Sequence, residues 1–253
     1  MPQGTQKEAS PEALAKAQHP SLRDIIGWDV LNWSRALELW SVALSSRSKN
    51  VYCLELGCGR NSSLALWLAA LGNRVVCSDR EGVSEPIRAA HARYSLAQRI
   101  SYASVDARAI PYRSEFDVVI FKSILGGIVA RDDLSVAADV LAGIYAALKP
   151  GGLLLFAENL YATPVHEFTR ARFGAGKDGW RYFALDELRS LMSAFANVQI
   201  DTWGFLACFG RSEGQRHVLG KLDGLVAEKL VPASWHYIAA VVAEKPQAST
   251  SLS

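Results

Sequence analysis

Apolar runs and segments of helical periodicity alternate along most of the chain. Seven short apolar runs predict buried strands over residues 51–56, 74–78, 100–105, 116–121, 153–157, 198–205 and 237–243. Between them, helices are predicted over 34–46, 62–71, 84–97, 132–148, 185–195 and 213–229. Strands that alternate with helices favour right-handed crossovers and an α/β fold with a doubly wound sheet and helices on both faces.

Helix-boundary signals support these limits. Ser34 is placed to cap the first helix, and Gly72 follows the second. Residues 149–152 read Lys-Pro-Gly-Gly, a strong stop signal before the fifth strand. We divide the chain into an amino-terminal helical cap over 1–49, a main domain over 50–245 and a polar tail over 246–253. Neither residues 1–10 nor the tail are expected to carry the fold.

Size and composition suit one large α/β domain. The chain has 253 residues, of which 50% are hydrophobic, and its formal net charge is +2. Because this charge is nearly neutral and no block of lysine and arginine occurs, nucleic acid is a disfavoured partner. The sequence has no signal-peptide pattern and no apolar run approaching about 18 residues, so we expect no membrane span.

The four cysteines, Cys53, Cys58, Cys77 and Cys208, lack the spacing of a metal site. Three of them fall in or beside predicted buried strands, where cysteine behaves as a small hydrophobic residue. We therefore expect no bound metal, and this cysteine usage favours a reducing, cytoplasmic location.

Residues 51–63 are the most informative stretch. A predicted buried strand is followed by Gly57, Cys58 and Gly59 and then by a predicted helix. Glycines in such a turn let the backbone approach a ligand, and Asp79, at the end of the next strand, can accept both hydroxyls of a ribose. Together they predict a nucleoside cofactor at the carboxyl edge of the sheet, the simpler alternative being a tight strand–helix connection.

The turn departs from a dinucleotide-binding fingerprint. That fingerprint has glycine at the sixth position of the turn, where this chain has Ser62. Glu55, two residues before the first glycine, would repel a pyrophosphate but can attract a cation, directly or through water. A nucleotide-dependent oxidoreductase is therefore disfavoured.

The Glu-Leu-Gly-Cys-Gly sequence at 55–59 resembles the first motif of the class I S-adenosylmethionine-dependent methyltransferases. The resemblance runs from about residue 50 to 156 and includes the Leu-Lys-Pro-Gly-Gly segment before the fifth strand. It implies a Rossmann-like, mostly parallel sheet of seven strands with the last one antiparallel. It also implies S-adenosylmethionine as cofactor, S-adenosylhomocysteine as product, a ribose at Asp79 and the adenine amino group at Asp106.

Ligands of open α/β sheets bind outside the carboxyl ends of the strands. Taken with the resemblance, those ends give the cofactor-binding candidates Glu55, Gly57, Cys58, Gly59, Ser62, Asp79, Arg80, Asp106, Ala107 and Phe121. Lys122, after the fourth strand, is implied to border both cofactor and substrate. The simpler alternatives are a helix cap for Asp79, a turn aspartate for Asp106 and a solvated lysine for Lys122.

Residues 158–183 are too many for an ordinary connection between a strand and a helix. This segment mixes aromatic residues with arginines, and Gly174, Gly176 and Gly179 give it hinge-like freedom. We interpret it as a lid that binds the acceptor, the alternative being a variable surface insertion. An aromatic stretch at 27–33 either closes the site or forms a packing corner. The acceptor-binding candidates are Trp33, Lys122, Tyr161, His166, Arg170, Trp180 and Tyr182.

Methyl transfer from a sulfonium is a direct displacement, so the enzyme contributes mainly positioning. A hydroxyl acceptor must also lose a proton. His166 is the preferred catalytic base because imidazole titrates near neutrality and this histidine lies in the lid. Glu158, at the end of the fifth strand, is the second candidate, and Lys122 completes the catalytic set.

Aromatic faces and arginines in the lid favour a small molecule or a sugar unit of a bacterial glycan, methylated on oxygen. The chain lacks the Asn/Asp-Pro-Pro-Tyr/Phe loop of many methylases of nucleobase or glutamine amides, because residues 121–124 read Phe-Lys-Ser-Ile. The alternatives are an N-methyltransferase, an RNA methyltransferase, and a non-catalytic S-adenosylmethionine-binding or scaffold protein. The oligomeric state is not predicted.

Overall fold

A seven-stranded sheet forms the centre of the molecule. The computed structural model describes residues 19–48, 50–129, 133–173 and 179–247. The strands are β1 Tyr52–Leu56, β2 Arg74–Asp79, β3 Ile100–Ser104, β4 Phe116–Lys122, β5 Leu148–Asn159, β6 Ala196–Trp203 and β7 Ile238–Glu244. Their order across the sheet is β3-β2-β1-β4-β5-β7-β6. β7 is antiparallel to both neighbours and the other pairs are parallel, which confirms the predicted fold class.

The reversal of β7 determines which residues reach the carboxyl edge. Ile238 pairs with Asn159 and Glu244 pairs with Leu153. β7 therefore begins at the edge where the parallel strands end. The Tyr237 carbonyl accepts a hydrogen bond from the Leu160 N–H (2.9 Å), which holds the start of β7 against the end of β5.

Helices cover both faces of the sheet. The helices of the described residues are α1 Leu22–Ile26, α2 Val30–Trp33, α3 Arg35–Ser45, α4 Leu64–Ala70, α5 Glu85–Arg93, α6 Leu125–Ile128, α7 Leu134–Ala147, α8 Pro164–Phe173, α9 Leu185–Leu191, α10 Glu213–Leu222 and α11 Glu228–Leu230. Apolar residues of α3 and α4 pack in one core layer, and those of α7 and α9 pack in the other. Side chains of β1 alternate between the layers, with Cys53 in the first and Leu54 in the second, as strand geometry requires.

The predicted boundaries differ from the structure at several helix ends. Ser34 adopts helical backbone angles between α2 and α3, and its hydroxyl donates to the Leu31 carbonyl (3.2 Å) instead of capping α3. The Lys-Pro-Gly-Gly segment does end α7, but β5 begins at once and includes it. Gly151 allows this because its φ is +75°.

Two predicted segments contain structure that periodicity did not reveal. The predicted lid contains helix α8, and Leu160 forms a parallel bridge with Phe183 across the base of the lid. The helix predicted over 213–229 is interrupted by a π-helical turn at Asp223–Ala227. The Asp223 carboxylate is buried and accepts the N–H groups of Leu206 and Ala207 at 2.6 and 3.0 Å, which ties this turn to the segment after β6.

Residues 1–10 and most of the predicted tail, 248–253, lie outside the described residues, as do Gly174 and Gly176 of the lid. None of the helices in the described part of the chain combines the length and apolar character that crossing a bilayer requires.

Candidate active site

The glycine turn after β1 has two positions that require glycine, for different reasons. Gly57 and Gly59 have φ values of +65° and +67°. A Cβ on Gly57 would lie 2.6 Å from Cγ2 of Ile124, whereas a Cβ on Gly59 would meet no atom within 4 Å. Gly57 therefore permits close packing against the segment after β4, and Gly59 leaves open space above the turn.

Asp79 holds the turn from the neighbouring strand. Its Oδ2 accepts the Gly59 N–H (2.9 Å), and the Cys58 N–H donates to the Ser78 carbonyl (3.0 Å). Asp79 is partly exposed, and within the described chain its second carboxylate oxygen has no hydrogen-bond partner. This oxygen is placed to accept from a ligand at the edge of the sheet.

Glu55 is buried and caps a helix. Its carboxylate accepts hydrogen bonds from the Ser63 hydroxyl (2.9 Å) and from the N–H groups of Leu64 and Ala65 (2.6 and 3.0 Å). These are the unsatisfied donors at the amino end of α4. Burial raises the pKa of this carboxyl. Glu55 also borders the cavity described below. Because its carboxylate already accepts three hydrogen bonds at the start of α4, the structure favours the capping role over the predicted attraction of a cation.

The remaining cofactor candidates, Arg80, Asp106 and Ala107, follow the carboxyl ends of β2 and β3. Asp106 follows β3 and pairs with Arg108 (3.0 Å), which lowers the pKa of the Asp106 carboxyl. Arg80 is exposed and pairs with Glu81 (3.3 Å). Ala107 is buried in the core layer of α7. The structure thus brings Asp106 beside Asp79 at the edge, with its carboxylate turned towards Arg108.

One cavity of about 470 Å³ joins the glycine turn to the lid. Nine of the predicted site residues line it, namely Glu55, Gly57, Cys58, Gly59, Ser62, Lys122, Arg170, Trp180 and Tyr182. They come from β1, the segment after β1, the end of β4, helix α8 and the last residues of the lid. The fold therefore brings five of the predicted cofactor residues and four of the predicted acceptor residues to one space, whereas Asp79, Arg80, Asp106 and Ala107 do not line it.

Lys122 lies in this cavity against aromatic rings. Its Nζ is 4.9 Å from the centroid of Trp33 and 5.5 Å from that of Trp28. Burial lowers the pKa of Lys122 to about 8, partly opposed by the nearby carboxyl of Glu158. Trp33 itself is fully buried beneath the lysine, so it supports the site without lining it.

The lid supplies an arginine and two aromatic walls. The Arg170 guanidinium lies 4.3 Å from the centroid of Tyr182 and donates to the Leu160 carbonyl (2.6 Å). Trp180 packs on Gly126 and Gly127 of α6, where a Cβ on Gly126 would approach its Nε1 to 2.2 Å. Because Gly126 and Gly127 carry no side chains, Trp180 can pack against α6 and line the cavity.

His166, the preferred base, is not brought to the cavity. It is fully buried, its Nδ1 accepts from the Thr163 hydroxyl (2.6 Å), and its Nε2 donates to the Phe205 carbonyl (2.7 Å). Burial lowers the pKa of its imidazole. Both ring nitrogens are thus occupied, one by Thr163 of the lid and one by the segment after β6, and this geometry argues against the predicted roles of His166 as base and acceptor ligand.

Phe121, Tyr161 and Glu158 do not line the cavity either. Phe121 is fully buried and stacks on Phe156 with ring centroids 4.7 Å apart, so its side chain packs in the core and does not line the cavity. Tyr161 points outwards and bonds with Glu167. Glu158 lies beneath the cavity, where its carboxyl accepts from the N–H groups of Leu125 and Asn159 (3.0 and 3.2 Å). Burial raises its pKa to about 7.

Sequence reasoning did not single out Ser123, Asn159, Arg216 and Tyr237, which also line the cavity. Trp28 lines it as well and belongs to the 27–33 stretch for which closing the site was one of two expectations. Ser123 follows Lys122 in the left-handed region (φ +53°) and accepts from the Asn159 amide (3.1 Å). The signal for Tyr237 was the implied reversal of the last strand, which puts its beginning at the carboxyl edge. Arg216 comes from α10, for which the sequence held no such signal.

Residues 54–156 match the model of a family described as a methyltransferase domain. This match identifies residues 54–156 as a methyltransferase domain and agrees with the class I resemblance of the sequence. A methyltransferase domain implies S-adenosylmethionine as the cofactor, in agreement with the prediction from the sequence. The match contains the glycine turn, Asp79, Asp106 and Lys122 and ends within β5. The lid, β6 and β7 lie beyond it.

Solved structures share this fold at low sequence identity. The N-methyltransferase NodS from Bradyrhizobium japonicum WM9, with S-adenosylhomocysteine, is 19% identical with a TM-score of 0.57, over 93% of this chain and 96% of that one. Phosphoethanolamine N-methyltransferase 2 from Haemonchus contortus, with S-adenosylmethionine, is 17% identical with a TM-score of 0.60, over 95% of this chain and 61% of that one. The [4+2]-cyclase SpnF is 21% identical with a TM-score of 0.54, over 85% of this chain and 83% of that one. No curated protein matches the sequence.

The edge of the methyltransferase sheet fits its cofactor. Gly59 leaves open space above the turn, and Asp79 presents a carboxylate oxygen at the end of β2. Asp106 follows the adjacent strand β3. The positions of both acids agree with the ribose and adenine contacts that the resemblance implies, and these contacts remain predictions.

Proposed function

We propose that this methyltransferase transfers a methyl group to an oxygen of a small-molecule acceptor or of a sugar unit, with Lys122 as the base. The cavity carries the proposal, because it joins the glycine turn to Lys122 and to the lid residues Trp180 and Tyr182. Cofactor and acceptor then occupy one space, as a direct displacement requires. When bound, S-adenosylmethionine supplies an electrophilic methyl group.

Lys122 meets the requirements of a base better than the other candidates. With a pKa lowered to about 8, part of its amine is neutral near pH 7 and can take a proton from a hydroxyl. It lines the cavity, and within the described chain no carboxylate forms an ion pair with it. His166 and Glu158, by contrast, already bond to neighbouring groups outside the cavity.

Ser123 and Asn159 support an oxygen acceptor next to Lys122. Both line the cavity, and their side chains are linked by the Asn159 amide. The Ser123 N–H donates to the Ala157 carbonyl (2.8 Å), which anchors this strained residue on β5. The pair presents a hydroxyl and an amide to an acceptor, groups that orient a sugar or alcohol by hydrogen bonds.

Nitrogen is the second candidate for the acceptor atom. Two solved structures of the same fold are named N-methyltransferases. Against nitrogen, the loop after β4 lacks the Pro-Pro motif of many amide methylases and presents Lys122 instead. A lysine that is cationic below its pKa disfavours a second ammonium group in the same cavity.

Isotope transfer tests the proposal. The protein would be incubated with S-adenosylmethionine carrying a labelled methyl group and a small-molecule extract of the source cells, and products located by mass spectrometry. We expect label on an oxygen of one compound, and Lys122→Met to lower its formation by about a hundredfold. Lys221→Met, an exposed lysine on α10, should have no effect.

The outcomes separate the alternatives. Label on nitrogen would replace the acceptor atom and leave the cavity as the site. Label on oxygen that persists undiminished in Lys122→Met would remove the lysine from catalysis. Binding of S-adenosylhomocysteine without any labelled product would favour a non-catalytic protein that binds the cofactor.

A further inference from the structure

Arg170 is a half-buried cation for which the described residues provide no counter-ion. Its Nη1 donates to the carbonyls of Leu160 and Tyr161 (2.6 and 3.4 Å). Its Nη2 is buried and has no hydrogen-bond partner in the described part of the chain. Burial lowers the pKa of this guanidinium, and no carboxylate contributes to its electrostatic surroundings. A guanidinium in this state favours binding of an anion.

The neighbouring groups do not neutralise Arg170. Cys208 lies beside it in the cavity wall, but burial raises the pKa of that thiol to about 12, so it stays uncharged. The Tyr237 ring lies 5.8 Å from the guanidinium carbon, and its hydroxyl donates to Asp29. These contacts hold the guanidinium in place on aromatic faces without supplying negative charge.

Other unpaired donors line the same cavity. Trp180 Nε1 and Arg216 Nε are buried and lack hydrogen-bond partners within the described residues. Among the described residues, Arg216 forms one ion pair, a distant one with Glu213 (4.0 Å), whose carboxylate also accepts the N–H groups of Asp29 and Val30. The buried Asp29 carboxyl is a further charged neighbour of Arg216. Arg170 and Arg216 also line a second cavity of about 630 Å³, so both stand between the two spaces.

We infer that the acceptor is an anion whose carboxylate or phosphate group binds to Arg170, with Arg216 as a second cation. This inference rests on the proposed function, since it assigns the acceptor side of the same cavity. Arg170 presents unused N–H groups in the plane of its guanidinium, a geometry that suits the paired oxygens of either anion. The group to be methylated would then lie between this anchor and Lys122.

Calorimetric titration of simple anions tests the inference. The protein would first be saturated with S-adenosylhomocysteine, and inorganic phosphate and acetate would then be titrated separately at constant ionic strength. We expect saturable binding of at least one of them, and Arg170→Met to weaken it by about tenfold or more. Phosphate without acetate would indicate a phosphorylated acceptor, and acetate without phosphate a carboxylic acid. Arg172→Met, an exposed arginine on the same helix, is the matched control and should bind as the wild type does.

The preceding titration with S-adenosylhomocysteine keeps the two proposals distinguishable. If wild-type protein binds the thioether but neither anion, the inference fails while the proposed function stands. If Arg170→Met binds the anion unchanged, or loses the thioether instead, Arg170 does not anchor the acceptor and the inference is overturned. If wild-type protein fails to bind the thioether, the proposed function itself fails. Should Arg170→Met not fold, Arg170→Lys keeps the charge but not the planar fork, and we expect it to weaken anion binding by several-fold.

Discussion

His166 and Lys122 were predicted for the same chemistry, and the fold places them in opposite environments. His166 lies in the lid core, where a hydroxyl and a backbone carbonyl occupy its two nitrogens. Lys122 lies in the cavity with its amine over two indole rings. Residue type alone favoured the histidine because of its usual pKa. The structure favours Lys122 over His166 as the candidate base, because a base must reach the acceptor and Lys122 lines the cavity.

Replacement of His166 should therefore affect stability rather than catalysis. His166→Ala leaves the Phe205 carbonyl unpaired and opens a cavity, so we expect the free energy of unfolding to fall by about 2–4 kcal/mol. Urea denaturation would measure this loss. Turnover of the folded variant should stay within about twofold of wild type. A large fall in turnover with unchanged stability would restore His166 to the mechanism.

The His166 contribution should also depend on pH in a defined direction. Burial lowers its folded-state pKa, so the unfolded chain binds more protons as the solution is acidified. The stability contributed by neutral His166 is present above its unfolded pKa of about 6.5 and is lost as the pH falls below it. The difference between wild type and His166→Ala should accordingly shrink in urea titrations at acidic pH.

Lys122 should impose a pH profile on methyl transfer. The neutral amine is the active form, so log kcat should rise with pH and level off above about 8. Initial rates with the acceptor from the labelling experiment would provide the profile. Lys122→Arg keeps the cation but cannot lose its proton in this range, so the plateau should disappear. A wild-type rate that is flat from pH 6 to pH 9 would argue against proton removal by this residue.

At the scale of elements, the β1–α4 connection combines two functions in a few residues. Glu55 caps α4, and Gly57 and Gly59 shape the turn that faces the cavity. The motif was legible in the sequence because glycine spacing and the two acids are local features. The capping role of Glu55 was not, because it depends on how α4 starts relative to β1.

Substitution of the two glycines should separate packing from ligand binding. Gly57→Ala places a methyl group 2.6 Å from Ile124, so we expect a loss of about 2 kcal/mol or more in the free energy of unfolding. Gly59→Ala meets no protein atom and carries mainly the strain of its positive φ, about 1 kcal/mol. Its methyl group projects into the open space above the turn. For each variant, the loss of binding free energy for S-adenosylhomocysteine can be divided by the loss of unfolding free energy, and we expect this ratio to be larger for Gly59→Ala than for Gly57→Ala. Equal ratios in the two variants would contradict this assignment.

At the scale of the whole molecule, the sequence predicted the sheet better than the acceptor side. Buried strands are continuous apolar runs, so their succession along the chain and the acids that follow two of them, Asp79 and Asp106, could be read directly. The reversal of the last strand was implied by the family resemblance alone. The acceptor wall gathers Asn159, Arg170, Arg216 and Tyr237 from β5, the lid, α10 and the start of β7. These residues have no common spacing along the chain, and only the antiparallel insertion of β7 brings Tyr237 to the site.

The cofactor is predicted to bind at the carboxyl edge of the sheet, where β1, β2 and β3 end. Asp79 ends β2 beside the glycine turn, where one oxygen accepts the Gly59 N–H and the other has no hydrogen-bond partner among the described residues. Asp79→Ala removes both interactions at a partly exposed position, so affinity should suffer more than folding.

Calorimetric titration of S-adenosylhomocysteine into wild-type protein and Asp79→Ala tests this claim most directly. The account predicts one site per chain in the wild type and an affinity at least about tenfold lower in a folded Asp79→Ala variant. Absence of binding by folded wild-type protein, or equal affinity in the two proteins, would contradict it.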